Sequence, residues 1–150
     1  MGNLKIYLDN CCYNRPFDDL TIEKNRLEAS AKIFIQTLIK YKSLTLVFSF
    51  VNLIEAEDSP FEDNKAYIMS FIEENASVFV GKNRLDEIER LADEVMRAGI
   101  KKKDAAHIAC AVTAGCDYFI TTDKRVLRYK TDKINMINPA DFILVWRELQ

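Results

Sequence analysis

The sequence predicts an α/β sandwich, a mainly parallel central sheet flanked by helices, folded as one domain over residues 1–150. Three observations predict it. Short apolar runs alternate with stretches whose apolar residues recur every three or four positions, the order expected of strands and helices taken in turn. The first run, Leu4–Leu8, alternates little, as suits a strand buried on both faces of a parallel sheet. With 150 residues and 49% hydrophobic content, the chain is long and apolar enough to bury one real core.

The elements follow in order. Leu4–Leu8 is the first strand and runs straight into Asp9-Asn10. The loop from Cys11 to Leu20 carries turn formers, Asn14-Arg15-Pro16 and Asp18-Asp19. A long helix spans roughly Ile22 to Tyr41, with Leu27, Ala31, Phe34, Leu38 and Tyr41 as its apolar stripe. Leu44–Phe48 is the second strand, and a short helix over Phe50–Ala56 carries Glu55 before Asp58-Ser59-Pro60 closes it. Asn64–Glu74 is helical, Ser77–Val80 is the third strand, and Leu85–Ala98 is an amphipathic helix that Gly99 terminates. Then comes a helix opening at Asp104, a turn at Gly115, the strand Tyr118–Thr121 and Asp123. Ile134–Ile137 is a fifth strand. Asn138-Pro139, an N-cap followed by proline at the first helical position, opens a last helix to Leu149.

Composition narrows the function. A formal charge of −2 excludes a bulk polycation, so any nucleic-acid contact is local. No run approaches the ~20 apolar residues that span a membrane, and no basic-plus-apolar leader precedes the first strand, so a cytoplasmic protein is expected. Cys11, Cys12, Cys110 and Cys116 form no C-x-x-C pair and no zinc spacing; they read as reduced core thiols. With His107 as the one histidine, a metal here is expected to be held by oxygen.

Topology selects the acids. In an open parallel sheet, ligands sit outside the carboxyl ends of the strands. Asp9 ends the first strand, Glu55 lies in the early turns of the helix leaving the second, and Asp123 lies two residues beyond Thr121. Asp104 opens a helix joined to the fourth strand by a tight turn, so its start returns to the same edge. Asp117 precedes that strand and belongs at the opposite edge. Each acid also has a plain structural role open to it: a helix cap for Asp104, a turn for Asp123, an Asx turn for Asp9, and solvent exposure for Glu55, with Glu57 as its rival. Convergence separates the two readings, because four packed carboxylates repel and such a cluster persists when a cation occupies it. All-oxygen ligation points to Mg2+ or Mn2+.

On IYLDNC, NLIEAE, KDAAHIACA and DYFITTDKRVL, nearly the whole chain resembles PIN-domain proteins of the type that includes the VapC toxins of toxin–antitoxin pairs. The resemblance implies a PIN-like three-layer sandwich and a metal-dependent ribonuclease, commonly dimeric and held inactive by an antitoxin. It places Asp9, Glu55, Asp104 and Asp123 as the four acids around one or two ions, and Thr121 as the threonine that precedes the fourth. Asn10 stands where many relatives carry Thr or Ser. Asn10 and Thr121 are expected to support the ligands from behind.

Cations flank the acids: Lys101-Lys102-Lys103 before Asp104, then Lys124, Arg125 and Arg128 after Asp123, with Arg15 in the loop after Asp9. They are either a solvated basic face or a path for an RNA substrate, to which Arg15, Lys103, Lys124 and Arg125 would contribute. Tyr13 and Phe17 are either minor core or platforms for unpaired bases. His107 reads as packed or locally hydrogen-bonded. Part of the long first-helix stripe is free to serve a homodimer or an antitoxin helix. The rival functions are a structure-selective DNA nuclease of related fold and a non-catalytic module that binds RNA or a partner.

Overall fold

Five short strands lie parallel in one sheet of order β3-β2-β1-β4-β5 in the computed structural model, which describes residues 3–13 and 21–150. They are β1 (Lys5–Leu8), β2 (Thr45–Ser49), β3 (Val78–Val80), β4 (Tyr118–Ile120) and β5 (Asn135–Ile137). Seven α-helices connect and cover them among the described residues: α1 (Glu23–Lys40), α2 (Phe50–Glu57), α3 (Glu62–Asn75), α4 (Leu85–Arg97), α5 (Lys102–Thr113), α6 (Lys124–Leu127) and α7 (Pro139–Glu148). None is long and apolar enough to cross a membrane. The strand order reverses between β1 and β4, which pair with Ile6 opposite Tyr118 and Leu8 opposite Ile120. That reversal opens a crevice at the carboxyl ends of β1 and β4.

The central strand shows why its sequence does not alternate. Tyr7 points into a core with Val47, Phe119 and the inner faces of α4 and α5. Ile6 and Leu8 point the other way, into a second core with Leu46, Ile120 and residues of α1, α3 and α7. Both faces are buried from Ile6 to Leu8, so these three positions are all apolar or aromatic. Tyr13 is fully buried, which makes this loop aromatic part of the core; Phe17, like Arg15, lies outside the described residues.

Local signals explain the element ends. The Ser49 hydroxyl and the Asn52 side chain form a capping box that starts α2. Asn138 caps α7 by accepting from the Asp141 N–H, with Pro139 in the first turn. Gly99 and Gly115 adopt φ values of 97° and 72° directly after α4 and α5. Behind Gly115, the Cys116 N–H reaches back to the Ala111 carbonyl at 3.1 Å, which is the closing bond of a Schellman motif.

The α1 stripe is only partly inward, as the expectation that part of it is free to serve a partner allows: Leu27 is 60% and Tyr41 79% exposed. Residues 27, 31, 34, 38 and 41 keep a 3.5-residue period, which drifts by about 20° per heptad around a straight helix. The buried set, Ala31, Ile35, Leu38 and Ile39, follows the helix's own period. The chain also forms α6, a single turn after Asp123 that is too short for any periodic signal, and β4 ends one residue before Thr121.

Gly115 gives a clean test of the turn that returns α5 to the functional edge. A Cβ there would meet nothing within 4 Å, so Gly115→Ala carries only the left-handed backbone cost. It should lower stability by about 1–2 kcal/mol in denaturant titrations, and Gly115→Asn by less.

Candidate metal centre at the carboxyl edge of the sheet

Asp9 is placed by the sheet itself. Its N–H donates to the Ile120 carbonyl at 3.0 Å, extending the β1–β4 ladder by one step, and its residue is only 7% exposed. The Thr121 hydroxyl donates to Asp9 Oδ2 at 2.8 Å and accepts from the Asp123 N–H at 3.1 Å. One buried threonine thus fixes two acids. Asp123 is also the N-cap of α6, with Oδ1 accepting from the Arg125 N–H at 2.8 Å. Capping therefore accounts for one of its oxygens.

Glu55 reaches the same place through α2. Asn52 donates to Asn10 Oδ1 at 2.6 Å and to the Leu8 carbonyl at 3.3 Å, while Asn10 donates to the Asn52 carbonyl at 3.0 Å. This reciprocal amide pair ties α2 to the end of β1. The Asn10 side chain thus holds the helix that carries Glu55. Glu57 faces away and pairs with Lys65 at 2.8 Å. Asp104 lies in the first turn of α5, but the N-cap is Lys101 and no side chain caps that helix. The capping role open to Asp104 is thus not the one it fills.

Asp9, Glu55, Asp104 and Asp123 line one open cavity of about 600 Å³. Asp117 sits at the other edge, where its Oδ2 accepts from the Lys5 N–H at 2.8 Å. Cys11, half-buried, lines the cavity as well as packing against the core, whereas Cys12, Cys110 and Cys116 are buried; all four are free thiols. Lys103 lies 3.5 Å from Glu55 Oε1, so one of the expected phosphate-binding cations already has a partner. Lys124 and Arg125 are exposed beside Asp123.

The site's electrostatics separate the acids. Burial pushes the Asp104 carboxyl above the ordinary aspartate value, and the negative charges of Asp9, Asp123 and Glu55 add to it. Burial also pushes Glu55 upward, but the adjoining His107 and Lys103 outweigh that and leave it lowered. Between these two, burial and like charge prevail at Asp104, although His107 offsets part of the rise, and the compensating groups prevail at Glu55.

Sequence reasoning expects oxygen donors alone. In the structure, one ligand atom each from Asp9, Glu55 and His107 lie within 4.8 Å of one another, a group that could hold a metal ion. His107 is fully buried, with its Nδ1 2.6 Å from the Tyr7 hydroxyl, which lies 2.6 Å from Ser49 Oγ. Sequence reasoning missed Tyr7, Ser49 and Asn52. Ser49-x-x-Asn52 resembles a capping box and was a readable signal; Tyr7, inside an apolar strand, offered none.

No family model matches the chain, and no curated protein matches it. Solved structures that share its fold include the following two. A chain of the VapBC2 structure from Rickettsia felis, bound to a DNA fragment from their promoter, aligns with a TM-score of 0.56 at 16% identity, over 90% of this chain and 98% of that one. A chain of FitAcB from Neisseria gonorrhoeae aligns with a TM-score of 0.53 at 14% identity, over 89% and 97%. At these identities the likeness is one of fold.

The raised carboxyl of Asp104 has a measurable sign. A carboxyl raised in the folded state favours folding below the unfolded value, 3.8, and disfavours it as pH rises through the folded value. In chelator at neutral pH, Asp104→Asn should therefore melt at a higher temperature than the parent. The difference should shrink as pH falls through the folded value and vanish below 3.8, where both forms are neutral. Thermal melts across that range check it; a variant less stable than the parent at neutral pH would make Asp104 a structural group.

Proposed function

We propose that this chain is a metal-dependent endoribonuclease of PIN type, a toxin of the VapC kind whose partner is an antitoxin chain. The observation that carries the reading is the convergence of four carboxylates at the crevice where the strand order reverses. The fold likeness to chains of VapBC2 and FitAcB supports the toxin–antitoxin part. The donor set fits a hard divalent cation: it is dominated by carboxylate oxygen, and Asp104 carries repulsion that a cation relieves. Asp9, Asp104 and Asp123 would hold one or two Mg2+ or Mn2+ ions, with Glu55 as a further ligand or as the group that orients water. When bound, such an ion supplies positive charge that polarises the phosphodiester and acidifies water.

The chain's own groups do the rest. Thr121 holds Asp9 turned into the crevice and keeps Asp123 beside it. Asn10 and Asn52 keep Glu55 facing them. The exposed Lys124 and Arg125, with Lys103 and with Arg15 of the preceding loop, draw the phosphate backbone toward an edge that would otherwise repel it. No protein nucleophile is needed, since water attacks phosphorus and the ribose oxygen leaves. A cytoplasmic setting suits an RNA substrate. Near the start of α1, Leu27 is 60% exposed and lines an open groove with Leu127 and Pro139, and this face suits a homodimer or an antitoxin helix. Leu27→Asp should then lower the particle mass seen by light scattering; an unchanged mass retires that face.

Cleavage of mixed RNA and of single-stranded DNA, each with Mg2+ and with chelator, tests the main reading. Asp9→Asn, Asp104→Asn and Asp123→Asn should each lower RNA cleavage by at least about a hundredfold, the scale of losing one electrostatic group in a catalytic site. Asparagine preserves shape and the α6 cap, so loss would report charge. Asp117→Asn, at the far edge, should cut normally. Cleavage of DNA alone would favour a DNA nuclease, and binding without cutting would favour a non-catalytic module.

A further inference from the structure

His107 is the one histidine of the chain, is fully buried, and stands one helical turn after Asp104 on α5. Its two ring nitrogens meet different surroundings. Nδ1 lies against the Tyr7 hydroxyl at 2.6 Å, whereas Nε2 has no hydrogen-bond partner and sits 3.7 Å from Glu55 Oε1. A buried polar atom left unmatched beside a candidate site calls for a physical reason.

Counting hydrogens orients the chain of contacts. Ser49 Oγ accepts from the Val51 and Asn52 N–H groups at 3.2 and 3.4 Å as it caps α2. Its two lone pairs are occupied, and its own hydrogen is left for the Tyr7 oxygen at 2.6 Å. Cys110, the competing neighbour of Ser49, offers only a weakly accepting sulfur. Tyr7 then has one hydrogen to give and one acceptor in reach, His107 Nδ1. Burial, above all, holds the Tyr7 hydroxyl in its protonated form, so that hydrogen is present. A neutral imidazole that accepts at Nδ1 carries its proton at Nε2. The opposite tautomer would load three donors on Ser49 Oγ and set the Nε2 lone pair against a carboxylate oxygen.

We propose that His107 is a positioning residue: Ser49 and Tyr7 lock it as the Nε2–H tautomer, it donates toward Glu55 Oε1, and it does not itself bind the metal. Lys103 approaches the same Oε1 from the solvent side at 3.5 Å. With Oε1 engaged from both sides, Glu55 keeps Oε2 as its free oxygen for the cavity. The Nε2–Oε1 gap exceeds a hydrogen bond by less than about 1 Å, and Glu55, only half-buried, supplies that movement. The capping of α2 and the orientation of its acid are thereby one connected network, running from Ser49 through Tyr7 and His107 to Glu55. The consequence for metal binding rests on the proposed metal site at the carboxyl edge.

Nitrogen-15 NMR of the single imidazole reads the tautomer directly and without assignment ambiguity. The intact protein in chelator should show a pyridine-type Nδ1 and a protonated Nε2, and saturating Mg2+ should leave both unchanged. A protonated Nδ1 in chelator, or an Nε2 that loses its proton when Mg2+ is added, would overturn the proposal; the second result would make His107 a ligand. Tyr7→Phe keeps the ring that stacks on Phe119 and removes only the hydroxyl. It should collapse the tautomer preference to a mixture and weaken Mg2+ binding, measured by calorimetry, by roughly tenfold or more, the usual effect of losing a group behind a ligand. A Tyr7→Phe protein with the parent's single tautomer and parent Mg2+ affinity would also overturn it. None of these measurements reads cleavage. A chain that shows the tautomer and the Mg2+ effects but cuts nothing overturns only the nuclease reading; one that binds no Mg2+ overturns the metal site and, with it, the positioning role of His107.

Discussion

Repulsion among carboxylates crowded into one crevice is the constraint around which the rest of this molecule is arranged. A parallel sheet delivers every strand to the same edge, and the reversal of order between β1 and β4 leaves a crevice there. Into that crevice the chain places Asp9 and Asp123 from strand ends, and Glu55 and Asp104 from helices. The four are not equivalent. Glu55 is compensated within the protein, by Lys103 and His107. At Asp104, burial together with the neighbouring acids prevails and leaves it raised. A carboxyl raised by burial and like charge is one that a nearby cation would stabilise.

Holding such a cluster together takes neutral hydrogen bonds, because further charges would either cancel it or add to it. Thr121 serves Asp9 with its hydrogen and Asp123 with its oxygen. The Asn10–Asn52 pair closes on itself and on the Leu8 carbonyl, so α2 is pinned to β1 without salt bridges. These contacts are buried, and stranding one partner of a buried pair costs about 1–3 kcal/mol. The arrangement is therefore stiff where it touches the acids and open only toward the cavity.

Much of this was legible in the sequence, and for identifiable reasons. The parallel sheet followed from Leu4–Leu8, whose lack of alternation reflects cores on both faces. The edge assignments followed from chain direction: a helix joined to a strand by the short turn at Gly115 must run back, which carries Asp104 to the side of Asp9 and leaves Asp117 on the other. Glu55 against Glu57 was not decidable, because nearby helical positions differ by a rotation that only packing fixes; the Lys65 pair shows which one faces out. The α6 turn escaped because four residues carry no period. The packing of His107 was legible, but its partner Tyr7 escaped because it lies a hundred residues away in a strand whose apolar neighbours hide it.

The placement of Asp104 argues that the cluster is kept against the fold's own preference. It occupies the first turn of α5, where the helix dipole favours a negative charge by about 0.3–1 kcal/mol. A carboxylate serving only that end should have a lowered value, as should one that caps. The shift is upward, so burial and the three neighbouring acids outweigh the dipole. Natural variation could remove that cost with a single neutral residue, since no hydrogen bond caps α5 from this position. An acid whose burial and neighbours outweigh the favour of its helix dipole, at the reversal point of a parallel sheet, is what the proposed metal site would account for.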